Sequence, residues 1–140
     1  MSGVDQSRRE LGGQFALRLR VKIQRQDEGY VLGLTPSQFE LIRRVVITTV
    51  GPPRSSEMIG LLAGPAARDV LRTVSRMDIQ SSSSGVELHL TPNELHGLRS
   101  ILTSAYLDAD SEETFYVRTG FFTENVKGVA RAMSNAIGEL

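Results

Sequence analysis

Residues 29 to 77 align with residues 85 to 133 at a constant offset of 56, with no gap, and 11 of the 49 paired positions are identical. The identities are Gly29/Gly85, Leu32/Leu88, Leu34/Leu90, Thr35/Thr91, Pro36/Pro92, Arg43/Arg99, Ser55/Ser111, Glu57/Glu113, Gly64/Gly120, Val70/Val126 and Met77/Met133. Chance pairing at ordinary residue frequencies gives roughly three. The identities fall where caps, turns and core contacts belong. Each copy alone is too small to bury a sufficient core, so the duplication predicts two half-domains around one shared core. It specifies an architecture and names no reaction.

The local pattern of each copy follows from hydrophobic periodicity. Phe15, Leu17, Leu19, Val21 and Ile23 alternate with Ala16, Arg18, Arg20, Lys22 and Gln24, the period-2 signature of a strand with one face buried. A polar stretch, Gln26 to Gly29, leads into a second alternation at Tyr30, Leu32 and Leu34, which predicts a hairpin with Gly29 supplying a positive φ. Thr35-Pro36 and Thr91-Pro92 then start helices, with Thr as the capping residue and Pro at the first helical position. Their buried stripes are Phe39, Ile42, Val45, Val46 and Thr49, widened by Leu41 and Ile47, and Leu95, Leu98, Ile101, Leu102 and Ala105.

Short segments follow, Ser55 to Ala63 and Ser111 to Thr119, each opening Ser-x-Glu and reading as a short helix; the β-prone run TFYVRT leaves residues 114–119 open to a strand. Gly64 and Gly120 break the chain, and a last helix starts at Pro65 in one copy and after Thr123 in the other. Its core face is Val70, Val74 and Met77, matched by Val126, Ala130 and Met133 with Ile137 beyond. Ser81 to Ser84 reads as a linker, and the second copy has one strand, Val86 to Leu90.

The expectation is an α+β fold of order β-β-α-α-α-β-α-α-α, with a small antiparallel sheet of about three strands packed on one face by helices. Residues 1–13 read as a flexible tail, and 14–140 as a single domain of two fused repeats after an extra N-terminal strand at 15–25.

Composition narrows the chemistry. The absence of cysteine excludes disulfides, thiolate metal sites, Fe–S clusters and Cys nucleophiles. No apolar run approaches the length needed to cross a bilayer, and MSGVDQSRRELGG lacks a signal-peptide core, so a cytoplasmic protein with no membrane partner is expected. Net charge is zero, but residues 1–76 hold 12 Lys and Arg against 7 Asp and Glu, and residues 77–140 hold 4 against 9. A solvated surface accounts for this, as does a polar molecule whose charged halves meet complementary partners or another copy.

Catalytic constellations are scarce. His89 and His96 lie near Glu87 and Glu94, but no HExxH, GxSxG, GxxxxGK[ST] or GxGxxG occurs, and the first copy has Gly33 and Glu40 at the equivalent positions. No metal, cofactor or enzymatic activity is expected.

Binding surfaces remain. Phe121-Phe122 follows Arg118-Thr119-Gly120, and with Phe115 and Tyr116 forms the chain's one aromatic cluster. Two adjacent rings do not readily enter one core, so at least one is exposed or covered by a partner, or else the cluster is plain core. Phe121, Phe122, Tyr116 and Arg118 are the candidate protein-binding residues. Arg18, Arg20, Lys22 and Arg25 on the wet face of the first strand are the alternative, a nucleic-acid surface, although it lacks exposed aromatics for base stacking and serves equally as a soluble, edge-protecting face. Arg43 and Arg99, repeated with Glu57 and Glu113, read as structural pairs that fix the short segment, or as a pseudo-symmetric ligand site.

HLTPNELHGLRSILTSAY and SEETFYVRTGFFTENVKGVARAM together resemble a loose pattern of small uncharacterised bacterial proteins: a strand, an LTPEEL-type helix, a short acidic-aromatic segment and a last helix. The resemblance covers about 50 residues of the second copy, rests on caps and turns, and implies no activity. The reading is therefore a non-enzymatic protein-binding module, an assembly factor, regulator or neutralising partner, that self-associates as a homodimer or higher homo-oligomer; the alternative is a nucleic-acid-binding protein.

Overall fold

The computed structural model describes residues 20–51, 66–77 and 85–140. Strand β1 (Lys22–Gln26) and strand β2 (Gly29–Leu34) form a hairpin closed by the two-residue turn Asp27-Glu28. Strand β3 (Val86–Leu90) pairs antiparallel with β2 on its other side, giving the sheet order β1-β2-β3. Five helices complete the described chain: α1 (Pro36–Val50), α2 (Ala67–Arg76), α3 (Pro92–Leu107), α4 (Glu112–Thr119) and α5 (Thr123–Gly138). The fold is a small α+β arrangement, as the periodicity predicts. The expected helix at 55–63, the linker at 81–84, the start of the first strand at residues 15–19 and the tail 1–13 lie outside the described residues.

Paired residues of β2 and β3 reveal the duplication directly. Leu32 sits opposite Leu88, its own repeat counterpart, and Tyr30/Leu90 and Leu34/Val86 flank them symmetrically. A pseudo-two-fold axis therefore passes between the two leucines. Gly29 and Gly85 occupy equivalent places at opposite ends of this ladder. A Cβ at Gly29 would lie 2.7 Å from the Leu90 carbonyl oxygen, and one at Gly85 would lie 3.1 Å from that of Leu34. The positive φ expected at Gly29 belongs instead to Asp27, at 55°; Gly29 is there because the neighbouring strand's carbonyl comes too close for a side chain.

The same cap opens α1 and α3. Thr35 Oγ1 accepts from the Gln38 N–H at 3.1 Å while Gln38 Oε1 accepts from the Thr35 N–H at 2.9 Å; Thr91 and Glu94 repeat this at 3.1 Å in both directions. Each box satisfies two backbone donors left free at a helix start. Helices α1 and α3 pack against each other at the centre, flanked by the last helix of their own copy, α2 on α1 and α5 on α3. Their inner stripes join Val21, Ile23, Leu32, Leu34, Leu88 and Leu90 in one buried cluster. Ile47, expected to widen the α1 stripe, is exposed.

The β-prone run 114–119 is helical. Ser111 Oγ accepts from the Thr114 N–H at 3.1 Å, Glu112 and Glu113 stand at the positive end of the helix dipole, and Gly120 ends it at φ 80°. Phe115 and Thr119, one helical turn apart, are its buried residues, so tertiary packing and two good caps outweigh intrinsic strand preference.

Candidate protein-docking site

Helix α4 packs Phe115 and Thr119 inward, which forces Tyr116, Val117 and Arg118 outward. The chain then turns at Gly120, whose N–H donates to the Tyr116 carbonyl at 2.7 Å. The Phe121 N–H donates to Thr119 Oγ1 at 3.1 Å, and the Thr119 hydroxyl donates in turn to the Phe115 carbonyl at 2.9 Å. These bonds send the two consecutive aromatics to different places. Phe121 is half-buried against the core, whereas Phe122 is 52% exposed and stacks on Tyr116, itself 49% exposed, with ring centroids 4.9 Å apart and planes 21° from parallel.

Phe122 is also held from the other side. Its N–H donates to Asn125 Oδ1 at 2.9 Å, and the next residue, Thr123, donates its N–H to Glu112 Oε2 at 3.1 Å and its hydroxyl to Glu112 Oε1. Glu112 thereby ties the first residue of α4 to the first residue of α5, where a carboxylate is favoured by the dipole. The outcome is a fixed corner that presents two stacked rings beside Val117, which is 77% exposed. Large apolar side chains in a restrained backbone lose little conformational entropy when a partner covers them. Exposed Asp108, Asp110, Glu112, Glu113 and Glu124 lie on the adjoining segments, so the charge of the neighbourhood is negative.

Arg118 is exposed and lines a small cavity of about 80 Å³ between the C-terminal ends of α1 and α3 and the inner side of α4. Thr48, Thr49, Asp108, Asp110 and Thr114 supply its polar lining. Of the four residues singled out in the sequence, the structure thus brings Tyr116 and Phe122 together, keeps Arg118 on the same short helix, and puts Phe121 partly into the core. Val117, Glu112 and Asn125 were not singled out. The Phe122-x-x-Asn125 spacing, that of a side-chain acceptor three residues into a helix, was the signal available for the last.

The basic strand is arranged differently from its expectation. Lys22 stands on the outer face of the sheet with Gln24 and Gln26, but the register sets Gly33 and then Glu87 across from Lys22, and Val31 and then His89 across from Gln24. Arg25 belongs to the other face: it pairs with Tyr30, which pairs with Leu90, so it lies on the core-side phase and emerges exposed at the end of the strand. Arg20 is exposed just before β1, and Arg18 lies outside the described residues. Across β2 and β3, the outer face adds no further Arg or Lys.

His89 and His96 are both exposed; His89 Nε2 is 3.7 Å from Glu87 Oε2 and borders an open groove of about 450 Å³ with Asp27, Glu28 and Glu94. Among the described residues, no three His, Asp or Glu side chains are grouped to hold a metal ion. Of the two repeated arginines, Arg99 departs from expectation. Arg99 donates Nη2 to Ser134 Oγ at 3.0 Å, tying α3 to α5, and not to Glu113, which is exposed. Among the described residues Arg43 Nε is buried with no hydrogen-bond partner, and Glu57 lies outside them. No helix among the described residues is long and apolar enough to cross a membrane. The chain matches no family model, no curated protein and no solved structure.

Proposed function

We propose that this chain is a non-enzymatic, cytoplasmic protein-binding module that docks a protein partner at the corner formed by α4 and the start of α5. The observation that carries this reading is the stacked, half-exposed pair Tyr116–Phe122 on a backbone restrained from both sides. Aromatic anchors of this kind supply most of the binding energy of protein interfaces. The carboxylates around them favour a partner with an apolar anchor ringed by Lys or Arg. A partner-binding module of this kind serves as an assembly factor, a regulator or a neutralising subunit, and self-association is part of the reading.

The test is quantitative affinity capture from nuclease-treated native lysate, with wild type compared against Tyr116→Ser/Phe122→Ser. Both substituted side chains are half-exposed, so far-UV circular dichroism should be unchanged. A stoichiometric partner should be captured by wild type, and its affinity should fall at least about thirtyfold in the double variant, the consequence of losing a hot spot of about 2 kcal/mol. A partner retained equally by both proteins would remove the site from this corner. Nucleic acid captured without nuclease, released by salt and lost in Arg18→Glu/Arg20→Glu, would replace the reading with its alternative.

A further inference from the structure

We infer that the partner taken at the aromatic corner is a second copy of this chain, presenting the arginine face of its helix α2. The inference rests on the docking reading above and deepens it by naming the occupant of that site.

Helix α2 is two-sided. Ala67, Val70 and Val74 are buried in the core, while Arg68, Arg72 and Arg76 are exposed at a spacing of four. A rise of about 1.5 Å per residue sets these arginines about 6 Å apart along the axis, so they form one continuous positive face. Among the described residues, the one ion pair on this face joins Arg72 to Asp69 at 3.8 Å, with both side chains 61% exposed, a contact that neutralises little. Like charges four residues apart destabilise a helix, and 68/72 and 72/76 are two such pairs. Carboxylates of a partner offset that repulsion. Leu71, half-buried, borders the face one turn after Arg68.

The aromatic corner has the complementary composition. Asp108, Asp110, Glu112, Glu113 and Glu124 are exposed around it, and the stacked rings of Tyr116 and Phe122 are each about half open to solvent. Arg is the cation such a surface takes best, because the planar guanidinium lies flat on a ring face while its N–H groups donate in pairs to a carboxylate. All three cations on the α2 face are Arg. Leu71 beside them and Val117 beside the rings give each surface an apolar member.

The division of charge selects a second copy over an unrelated basic partner. Residues 1–76 carry 12 Lys and Arg against 7 Asp and Glu, an excess of five positive charges, and residues 77–140 carry 4 against 9, an excess of five negative ones. The halves of one copy therefore neutralise those of another. Within one copy, and among the described residues, no ion pair joins α2 to the corner. Helix α2 packs on α1 and α3, whereas α4 packs on α1 and α5, and both charged faces remain exposed. The contact is heterologous, joining two different patches, so a patch damaged on one copy can be supplied by another.

The experiment is sedimentation velocity on the full, nuclease-treated chain across a concentration series. Wild type should associate reversibly, and raising salt from about 0.1 M to about 1 M, which shortens the screening length from about 10 Å to about 3 Å, should weaken the association. Tyr116→Ser/Phe122→Ser and Arg68→Gln/Arg72→Gln/Arg76→Gln should each weaken it at least about tenfold. Mixed in equal amounts, the two variants should form a one-to-one complex, because the first keeps the arginine face and the second keeps the corner. That complex also certifies that each variant is folded. A monomeric wild type, self-association that survives either set of substitutions, or a mixture that stays monomeric overturns the assignment. Nucleic acid that co-purifies with wild type in place of self-association, and is lost in the arginine variant, overturns it too and makes the face a phosphate-binding surface. A monomeric wild type that still captures a lysate protein through Tyr116 and Phe122 sinks this inference and leaves the docking site standing, so the two failures are read separately.

Discussion

The two copies use the same cap to start α1 and α3, but the third helical residue differs, Gln38 in one and Glu94 in the other, and the difference follows the chemistry of what lies beside it. Gln38 spends its amide oxygen on the capping box and donates Nε2 to the Arg20 carbonyl at 3.2 Å, pinning the approach to β1. Glu94 has no proton to give; its second oxygen accepts the Thr73 hydroxyl at 2.8 Å, pinning α2. A duplicated motif has thus kept the half that any helix start needs and changed the half that meets a neighbour. The same division appears one turn later. Gly97 of α3 is buried against Ala66 and Val70, with room for a Cβ only 3.2 Å from that of Ala66, whereas its counterpart Leu41 on α1 is a buried core side chain. The first copy's last helix can approach the other copy's central helix closely because Gly97 offers no bulk.

Exchanging that pair should break the comparison most visibly. Leu41→Gly should lose about 2–5 kcal/mol for the removed side chain and about 1 kcal/mol more for a glycine inside a helix. Gly97→Leu should lose about 1–3 kcal/mol from overpacking against α2. Urea denaturation measures both, and a neutral Gly97→Leu would mean that α2 can move away from α3 at no cost.

The capping residues offer a sharper contrast of smaller size. Gln38→Glu keeps the capping oxygen but turns a second acceptor toward the Arg20 carbonyl at a site only 6% exposed, so it should cost about 1–3 kcal/mol. Glu94→Gln should change stability by less than about 0.5 kcal/mol, because the Thr73 hydroxyl can rotate to accept from the new amide. Equal effects at the two positions, in the same denaturation assay, would show that only the box matters and the neighbour contacts do not.

Much of this organisation could be read from the sequence because caps and periodicity are local. Thr-Pro at 35–36 and 91–92 placed two helix starts, alternation placed β2 and β3, and the stripe Leu95, Leu98, Ile101, Leu102 was buried as its spacing required. The failures were non-local. Gly29 looked like a turn glycine, but its reason is a carbonyl 61 positions further along the chain. Arg25 is the exception, a local signal: it follows Val21 and Ile23 on the odd-numbered phase, so strict period-2 alternation already takes it off the basic face, and the register agrees. At the docking corner, adjacency of Phe121 and Phe122 was legible, whereas which ring turns outward depends on the Thr119 and Asn125 hydrogen bonds that no period encodes.

The repeated arginines give the smallest and cleanest separation of identity from role. Arg43 and Arg99 are the same residue at equivalent positions; Arg99 does not meet Glu113, and Glu57 lies outside the described residues. Arg99 donates to Ser134, and Ser134 in turn donates to the Ala130 carbonyl at 3.1 Å, so the guanidinium joins a short chain of bonds linking α3 to α5. Arg43 holds a buried Nε that has no hydrogen-bond partner among the described residues, where its desolvation is not offset. Replacing each by leucine removes charge and donors at similar bulk. Arg99→Leu should therefore lose about 0.5–1.5 kcal/mol, the net worth of an ordinary hydrogen bond, while Arg43→Leu should be neutral or slightly stabilising. If Arg43→Leu is the costlier change in urea denaturation, the arginine is held by its aliphatic stem against the core, and the unpaired nitrogen is a tolerated consequence of that packing.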